Sequence, residues 1–276
     1  MKTLFNTKSV EETKLLIEAG ADVNAKSWQG YTVLHFVESV EEAKLLIENG
    51  ADVNAKDRYG RTPLYWVRSA EIAKVLIEAG ADVNFIDSYN NTPLYFAETA
   101  EVAELLIEHG ADVHAVAKYD TPLHWAKTKE VAKLLVKAGA DVHAVDKYDN
   151  TPLNYVRSAE VAKVLIKAGA DVNTRNDSDN TPLHKARSVE VAKVLIEAGA
   201  DVDARNIYNE TPLHKAMSAE ITKVLIEHGA DVNAKNRSNR TPLYFHFTDL
   251  TEYTEEEYVL EIAKIIMVLI ENGGTL

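Results

Sequence analysis

The sequence has no cysteine among its 276 residues. This absence excludes disulfide bonds, thiol catalysis and metal sites built from cysteine. Long apolar runs are also missing, since the longest, Ile265 to Ile270, is far too short to span a membrane. The N-terminal stretch MKTLFNTKSVEETKLL lacks the apolar core of a signal peptide. A cytoplasmic location is therefore expected, with secretion as an effector as the alternative.

An excess of basic residues is missing too. The chain has 43 acidic and 30 basic residues, which gives a net charge of −13. Proteins that bind nucleic-acid backbones carry a basic stripe, and anionic membranes attract basic surfaces. Nucleic acid and membrane are therefore not expected as partners, whereas a protein partner of basic or mixed charge is permitted.

Catalytic motifs are the third absence. The sequence has no glycine-rich phosphate loop, no H-E-x-x-H and no G-x-S-x-G. Acidic pairs such as Glu41 and Glu42 recur along helix faces, where they form i,i+3 and i,i+4 pairs with lysine. The chain is therefore predicted not to be an enzyme, to have no catalytic residues and to need no cofactor.

What the sequence does contain is a repeat. A Gly-Ala-Asp step recurs every 30 residues, with one spacing of 29. A fixed period in this range indicates a stacked solenoid. The glycines of the step are Gly20, Gly50, Gly80, Gly110, Gly139, Gly169, Gly199 and Gly229.

The unit from Thr181 to Glu210 shows the local chemistry of one repeat. Thr181 followed by Pro182 is a helix start, because a hydroxyl caps the helix and proline needs no N–H there. Ser188 caps a second helix with a broad apolar face, and Gly199 suits the left-handed position that ends it. The residues from Ala200 to Glu210 have turn-forming side chains and no helical period.

These strings resemble the ankyrin repeat. TPLH, the run A-K-x-L-I-E-x-G-A-D-V-N and a turn led by Asp or Asn recur in register over essentially the whole chain. The resemblance implies an all-α, helix-turn-helix solenoid of about nine repeats with β-turn fingers. It also implies that the activity is binding, usually of proteins, through the fingers and the inner helices. The usual unit has 33 residues, and the missing three fall between the helices, which predicts a more tightly curved stack.

The resemblance predicts a single domain over residues 1–276. Residues 1–30 are expected to be an N-terminal cap repeat, 31–240 the internal repeats and 241–276 an extended C-terminal cap repeat. In the last repeat a loop is predicted from His246 to Tyr253. A helix is predicted at about 255–271, begun by a capping box of Thr254 and Glu257.

Acidic residues crowd this last repeat. They are either part of a solubilising cap or a docking patch for a basic partner. The residues are Asp249, Glu252, Glu255, Glu256, Glu257 and Glu261.

The fingers supply the first candidate binding residues. Two neighbouring finger positions carry exposed aromatic or variable side chains, and tyrosine is not a residue that a turn needs. Repeated tyrosine suits an interface, because it offers a large rigid area and a polar tip. Alternatively, each tyrosine packs on the neighbouring finger. The candidates are Trp28, Arg58, Tyr59, Tyr89, Lys118, Tyr119, Lys147, Tyr148 and Tyr208.

A second candidate set lies on the first helix of each repeat, one residue after the TPLH position. The alternative to binding is packing between repeats, where a large side chain fills the space left by the short connector. The set changes character after Tyr155, because Lys185 and Lys215 follow in the same position. We call the aromatic members the aromatic row: Phe36, Trp66, Phe96, Trp125 and Tyr155.

One finger is irregular. The 29-residue spacing places a deletion before Thr121, and Ala117 replaces the usual Asp or Asn. This finger is predicted to be shorter and differently shaped, either through drift or as a contact site.

Histidine is predicted to be structural. His35, His124, His184 and His214 occupy the last TPLH position, where the family's histidine forms hydrogen bonds within and between layers. Side chains in adjacent layers, such as those of His114 and His143, lie roughly 8–10 Å apart and cannot share a metal at about 2 Å each. No metal site is therefore expected.

These patterns favour a monomeric, non-catalytic protein-protein interaction module, acting as a scaffold, an inhibitor or an effector. Binding is expected through the fingers and inner helices of the second to sixth repeats. A self-assembling structural array and a solenoid that binds a small ligand are the alternatives.

Overall fold

The computed structural model describes residues 3–118, 120–252 and 256–276, without the side chains of 249–252. The described residues form helices and turns and no strands. The chain divides into two compact units, Met1–Ala140 and Asp141–Leu276, and each unit is described by itself. The predicted all-α repeat is confirmed, whereas the single domain stays a prediction.

Unit 1 consists of repeated layers, each with a one-turn first helix and a longer second helix. The first helices are 3-10 helices: η1 Leu4–Asn6, η2 Val33–Phe36, η3 Pro63–Tyr65, η4 Pro93–Phe96 and η5 Pro122–Trp125. The second helices are α1 Val10–Glu18, α2 Val40–Glu48, α3 Ala70–Glu78, α4 Ala100–Glu108 and α5 Lys129–Lys137.

Unit 2 continues the same pattern and ends differently. Its helices are α6 Pro152–Tyr155, α7 Ala159–Lys167, η6 Pro182–Lys185, α8 Val189–Glu197, α9 Ala219–Glu227, α10 Pro242–Glu252 and α11 Glu256–Glu271. The segment 212–215, equivalent to a first helix, is a turn.

The helix boundaries follow the predicted caps. The Oγ atom of Ser188 accepts the N–H of Val191 at 3.2 Å, which satisfies one of the amides left open at the start of α8. Gly199 has φ of 91°, and the next amide, that of Ala200, donates to the carbonyl of Leu195 at 3.0 Å. Helix α8 therefore has both ends closed by its own sequence, whereas Ser158 at the start of α7 forms no side-chain cap bond.

The core lies between successive layers and is mostly leucine and alanine. In unit 1, Leu34 of η2 and Ala43 and Leu46 of α2 are at most 1% exposed. Neighbouring second helices pack on one another along this core. The outward face of each second helix stays charged, as the amphipathic pattern predicts.

The prediction of a loop at 246–253 is wrong for the described residues up to 252. Helix α10 continues through this segment because no Gly or Pro interrupts it and because His246 is buried against the preceding layer. The Nε2 atom of His246 lies 3.3 Å from the carbonyl oxygen of Leu213. Helix α11 matches the predicted one, whereas Thr254 of the predicted capping box and Tyr253 of the loop lie outside the described residues.

Candidate functional site

A finger is the turn that joins one layer to the next, and its first side chain organises it. In the finger of residues 57–61, Oδ1 of Asp57 accepts the N–H groups of Tyr59 at 2.7 Å and Arg61 at 2.9 Å. The fourth residue, Gly60, has φ of 79°. In later fingers Asn or Asp takes this left-handed position, as with Asn90 at φ of 62°. The two residues between the cap and the left-handed residue form the tip.

Successive fingers are joined by backbone hydrogen bonds. The N–H of Arg58 donates to the carbonyl of Gln29 at 2.9 Å, and the N–H of Ser88 donates to that of Tyr59 at 2.8 Å. These bonds fix the tips as a series. The equivalent bonds are Lys118 to Tyr89 at 2.8 Å in unit 1, and Asp177 to Tyr148 at 3.0 Å, Ile207 to Ser178 at 3.1 Å and Arg237 to Tyr208 at 2.9 Å in unit 2.

The finger tyrosines are exposed in both units. Their rings keep between a third and a little over half of their surface in contact with solvent, and their hydroxyls form no hydrogen bond among the described residues. The exposed fractions are 37% for Tyr59, 47% for Tyr89, 48% for Tyr148 and 56% for Tyr208. Tyr119, the fifth finger tyrosine of the sequence analysis, lies outside the described residues.

Cationic side chains accompany several of these rings. Trp28 is 83% exposed, and the guanidinium of Arg58 lies 6.0 Å from its ring centre and 5.2 Å from that of Tyr59. In unit 2 the ammonium of Lys147 lies 4.5 Å above the ring of Tyr148. Cation–π contacts of this kind contribute about 0.5–1 kcal/mol each at exposed sites.

The aromatic row is also exposed in unit 1. Phe36, Phe96 and Trp125 are the last residues of η2, η4 and η5, Trp66 directly follows η3, and each leaves a third or more of its surface open. Trp125 donates from Nε1 to Oδ2 of Asp120 at 2.8 Å. These rings contact their neighbours, as the packing alternative predicts, and still present an aromatic face.

Tyr155, the row's member in unit 2, is half-buried and faces its own finger. Its hydroxyl donates to Oδ2 of Asp146 and accepts from Nδ2 of Asn150 at 3.3 Å. Burial raises the pKa of Asp146, but hydrogen bonds from Tyr155, Asn150 and backbone amides outweigh it, so the pKa lies below its ordinary value. Tyr155 therefore offers a partner less surface than the other four rings.

A residue that the sequence analysis passed over organises the row in unit 1. Arg61, which directly precedes a Thr-Pro step, holds its guanidinium 5.5 Å from the ring centre of Tyr59, 5.8 Å from Trp66 and 5.0 Å from Phe96. Its Nε donates to Oδ2 of Asp87 at 3.3 Å. The sequence feature that could have revealed Arg61 is the variation at its repeat position, which holds Tyr31 one repeat earlier and Asn91 one repeat later.

The histidines of the TPLH position have the structural role that was predicted. The backbone N–H of Thr181 donates to Nδ1 of His184 at 3.1 Å, so the ring proton lies on Nε2, which donates to the carbonyl of Glu210 in the next layer at 3.1 Å. Burial lowers the pKa of His184 to about 4. His35 and His214 form the same pair of contacts.

The described part of the chain contains no candidate metal site and no candidate membrane-spanning helix. There, no group of three or more His, Asp or Glu side chains is placed to hold a metal ion. No described helix is both long enough and apolar enough to cross a bilayer.

Comparison with known proteins agrees with the repeat architecture. A family model described as ankyrin repeats (3 copies) matches residues 4–87, 38–117, 68–146, 123–206 and 191–246. No curated protein matches the chain. Ankyrin repeats are in general protein-protein interaction modules and typically non-catalytic. Since the matches extend over most of its length, the chain belongs to the ankyrin-repeat family.

Proposed function

We propose that this protein is a non-catalytic interaction module that binds a partner protein through its finger tips and its aromatic row. The observation that carries the proposal is the exposure of the finger tyrosines Tyr59, Tyr89, Tyr148 and Tyr208, whose hydroxyls have no hydrogen-bond partner among the described residues. Exposed tyrosine offers another molecule a large rigid ring and a polar tip.

The rigidity of the tips indicates that they are a binding surface and not only a solvent-exposed edge of the repeats. Backbone bonds to a neighbouring finger fix the tips, as at Arg58 and Gln29, and a side-chain cap such as Asp57 adds to this in every described finger except the one that starts at Ala117. A preformed surface loses little conformational entropy on association. Aromatic and arginine side chains held in this way are the residue types that dominate interface energies.

The contacts proposed in unit 1 are Trp28, Arg58, Tyr59, Trp66, Tyr89, Phe96, Lys118 and Trp125. Lys147, Tyr148, Tyr155 and Tyr208 are proposed contacts of the same kind in unit 2, and Tyr119 is proposed from the sequence. The net charge of −13 favours a partner with a basic or mixed-charge surface.

The test compares capture of proteins from the native cell lysate by the intact chain and by two double variants. Tyr59→Ala with Tyr89→Ala removes two finger rings, and Trp66→Ala with Phe96→Ala removes two rings of the row. The control, Glu104→Ala with Lys133→Ala, changes two exposed side chains of α4 and α5 and keeps the net charge. Circular dichroism checks that every variant is folded.

A protein retained by the intact chain and the control is then purified and its Kd is measured. Loss of an anchor ring is expected to raise Kd at least about 30-fold, or about 2 kcal/mol. If both ring variants bind as tightly as the control, the partner uses another surface and the proposed site is wrong. Capture of nothing by the intact chain would contradict the proposal as a whole.

A further inference from the structure

A pocket opens at the shortened finger of unit 1. It has a volume of about 420 Å³ and lies between the finger that starts at Asp87, the finger that starts at Ala117 and the first helices η4 and η5. The short finger has no side-chain cap, because Ala117 replaces the usual Asp or Asn, although its N–H still donates to the carbonyl of the last finger residue, Asp120, at 2.9 Å. The lining includes the rings of Tyr89, Phe96 and Trp125, the amide of Asn91, the acids Glu98 and Asp120 and the lysines Lys118 and Lys127.

The preceding repeat shows what fills the same place. There the guanidinium of Arg61 lies over Tyr59, Trp66 and Phe96 at 5.0–5.8 Å and donates to the buried carboxylate of Asp87 at 3.3 Å. The arginine side chain is 23% exposed and the carboxylate is fully buried. Three rings and one carboxylate thus form a complete guanidinium site within the chain.

One repeat later the rings remain but the guanidinium is gone. Tyr89, Phe96 and Trp125 occupy the positions of Tyr59, Trp66 and Phe96. Asn91 stands where Arg61 stands, and its amide turns back to Asp87, with Nδ2 at 3.1 Å from Oδ2 and 3.2 Å from Oδ1. Because this short side chain is held by its own finger, it does not cover the rings.

The carboxylate of the site has also moved. Ala117 stands where Asp87 stands, so the buried counter-ion of the preceding repeat is missing. Asp120 supplies another carboxylate to the same pocket and is positioned by Nε1 of Trp125 at 2.8 Å. The other acid, Glu98, is bound by Lys127 at 2.9 Å, and that hydrogen bond together with the lysine's charge lowers the pKa of Glu98.

We propose that this pocket takes the guanidinium of an arginine side chain of the partner protein, in the place that Arg61 fills one repeat earlier. The inference rests on the proposed function and names one group that the partner must carry. The planar guanidinium stacks on rings and donates in a fork to a carboxylate, which an ammonium does not do. Tyr31 fills the corresponding space two repeats before Asn91, with ring centres 5.0 Å from Phe36 and 5.7 Å from Trp66. An aromatic side chain is therefore the competing occupant, and the tyrosine peptide of the test represents it.

The direct test titrates the native protein with blocked tripeptides, acetyl-Gly-X-Gly-amide, in which X is arginine, citrulline, lysine or tyrosine. Binding is followed by the indole N–H signal of Trp125 in NMR spectra, assigned with Trp125→Phe. The arginine peptide is expected to shift this signal and to bind about tenfold more tightly than the citrulline peptide, because citrulline keeps the shape and loses the charge-assisted contact.

Two variants locate the peptide. Asn91→Arg places the chain's own guanidinium over the rings and is expected to abolish binding of the arginine peptide, and Asp120→Asn is expected to weaken it about tenfold. Glu197→Gln raises the net charge by one, as both variants do, on the exposed face of α8. This control is expected to bind like the native protein.

Equal binding of the arginine and citrulline peptides, tighter binding of the tyrosine or lysine peptide, or no shift of the Trp125 signal would each overturn the arginine assignment. Those outcomes come from the native protein and do not depend on whether the variants fold. They do not decide the proposed function, which the capture experiment tests. A partner protein that no longer binds after the finger tyrosines are removed would still indicate binding at the fingers.

Discussion

The hydroxyl of Thr181 lies 2.9 Å from Nδ1 of His184, three residues later in the same turn. The backbone N–H of Thr181 shares that nitrogen, and the opposite nitrogen of the ring reaches the next layer at Glu210. One side chain therefore closes the start of its own helix and joins two layers. Where Tyr65 and Tyr95 replace the histidine, the contact with the next layer is kept, but the threonine hydroxyl at the start of the helix has no partner in the described structure.

The first prediction compares two threonines in these two settings. Tyr65 donates its hydroxyl to the next finger, at 2.6 Å from the carbonyl of Asn91, but offers no acceptor to Thr62. The Oγ1 atom of Thr62 is consequently buried without a partner in the described structure. We expect Thr62→Val to leave the free energy of unfolding unchanged or to raise it by up to about 1 kcal/mol, and Thr181→Val to lower it by about 1 kcal/mol. Urea unfolding of both variants measures the difference, and equal losses would contradict it.

The second prediction concerns pH. His184 has a folded pKa of about 4 because it is buried, whereas its ordinary value is 6.5. The unfolded chain therefore binds more protons between these values, so stability is complete above about pH 6.5 and falls as pH decreases toward 4. At pH 5 the loss due to this one histidine is about 2 kcal/mol.

The matched variant for this effect is His184→Asn. Asn154 occupies the same position in its layer and accepts the N–H of Thr151 at 2.8 Å, so the cap survives in that form. We expect the variant to be less stable than the native chain by about 1 kcal/mol at pH 7.5, because the contact with Glu210 is lost. The difference should shrink or reverse at pH 5. Urea unfolding across this range would show parallel curves if the histidine did not titrate as inferred.

The third prediction concerns a bridge on the finger side of the layers. Asn173 donates from Nδ2 to the carbonyl of Gly199 at 3.0 Å, and its Oδ1 accepts the N–H of Asp201 at 2.9 Å. His143 holds the equivalent position one repeat earlier, and its ring forms no hydrogen bond among the described residues. We expect His143→Asn to raise the free energy of unfolding by about 1 kcal/mol, because two bonds to the following layer become possible. Thermal unfolding of this variant and of the reverse change, Asn173→His, should give opposite shifts in Tm.

Much of this fold follows from the sequence because each element is specified locally. Ser188 and Gly199 mark the ends of a helix by hydrogen bonding and by backbone conformation, and both act within a few residues. The same capping residues recur in register, so one repeat predicts the helices of all nine layers. The hydrogen bonds of the histidines were also predicted, because the ankyrin resemblance implies them.

The pocket could not be predicted in the same way. It depends on the direction of the Arg61 side chain and on the hydrogen bond that turns the Asn91 amide toward Asp87. It also depends on Ala117, which stands where the preceding repeat has a carboxylate. Each of these is a contact between layers, and a repeat pattern does not encode which side chain covers which ring. The aromatic row and the shortened finger were visible in the sequence, but their meeting in space was not.

The role of Glu261 in the last repeat could not be predicted either, because the sequence alone grouped this residue with an acidic patch. In the structure Oε1 of Glu261 accepts the N–H of Ala219 at 2.9 Å, at the start of α9, and Oε2 accepts from Lys264 at 3.1 Å. The hydrogen bond from Ala219 lowers the pKa of Glu261. A carboxylate at a helix N-terminus satisfies an open amide and interacts favourably with the helix dipole.

The fourth prediction follows from this contact between α11 and α9. Glu261→Gln is expected to lower the free energy of unfolding by about 1 kcal/mol at pH 7, because the charge-assisted bond to α9 becomes a neutral one. Glu271→Gln removes the same charge from an exposed position near the end of α11 and should change stability by no more than about 0.5 kcal/mol. Urea unfolding at low ionic strength measures both. Equal effects of the two variants would show that net charge, and not the cap on α9, is what Glu261 contributes to stability.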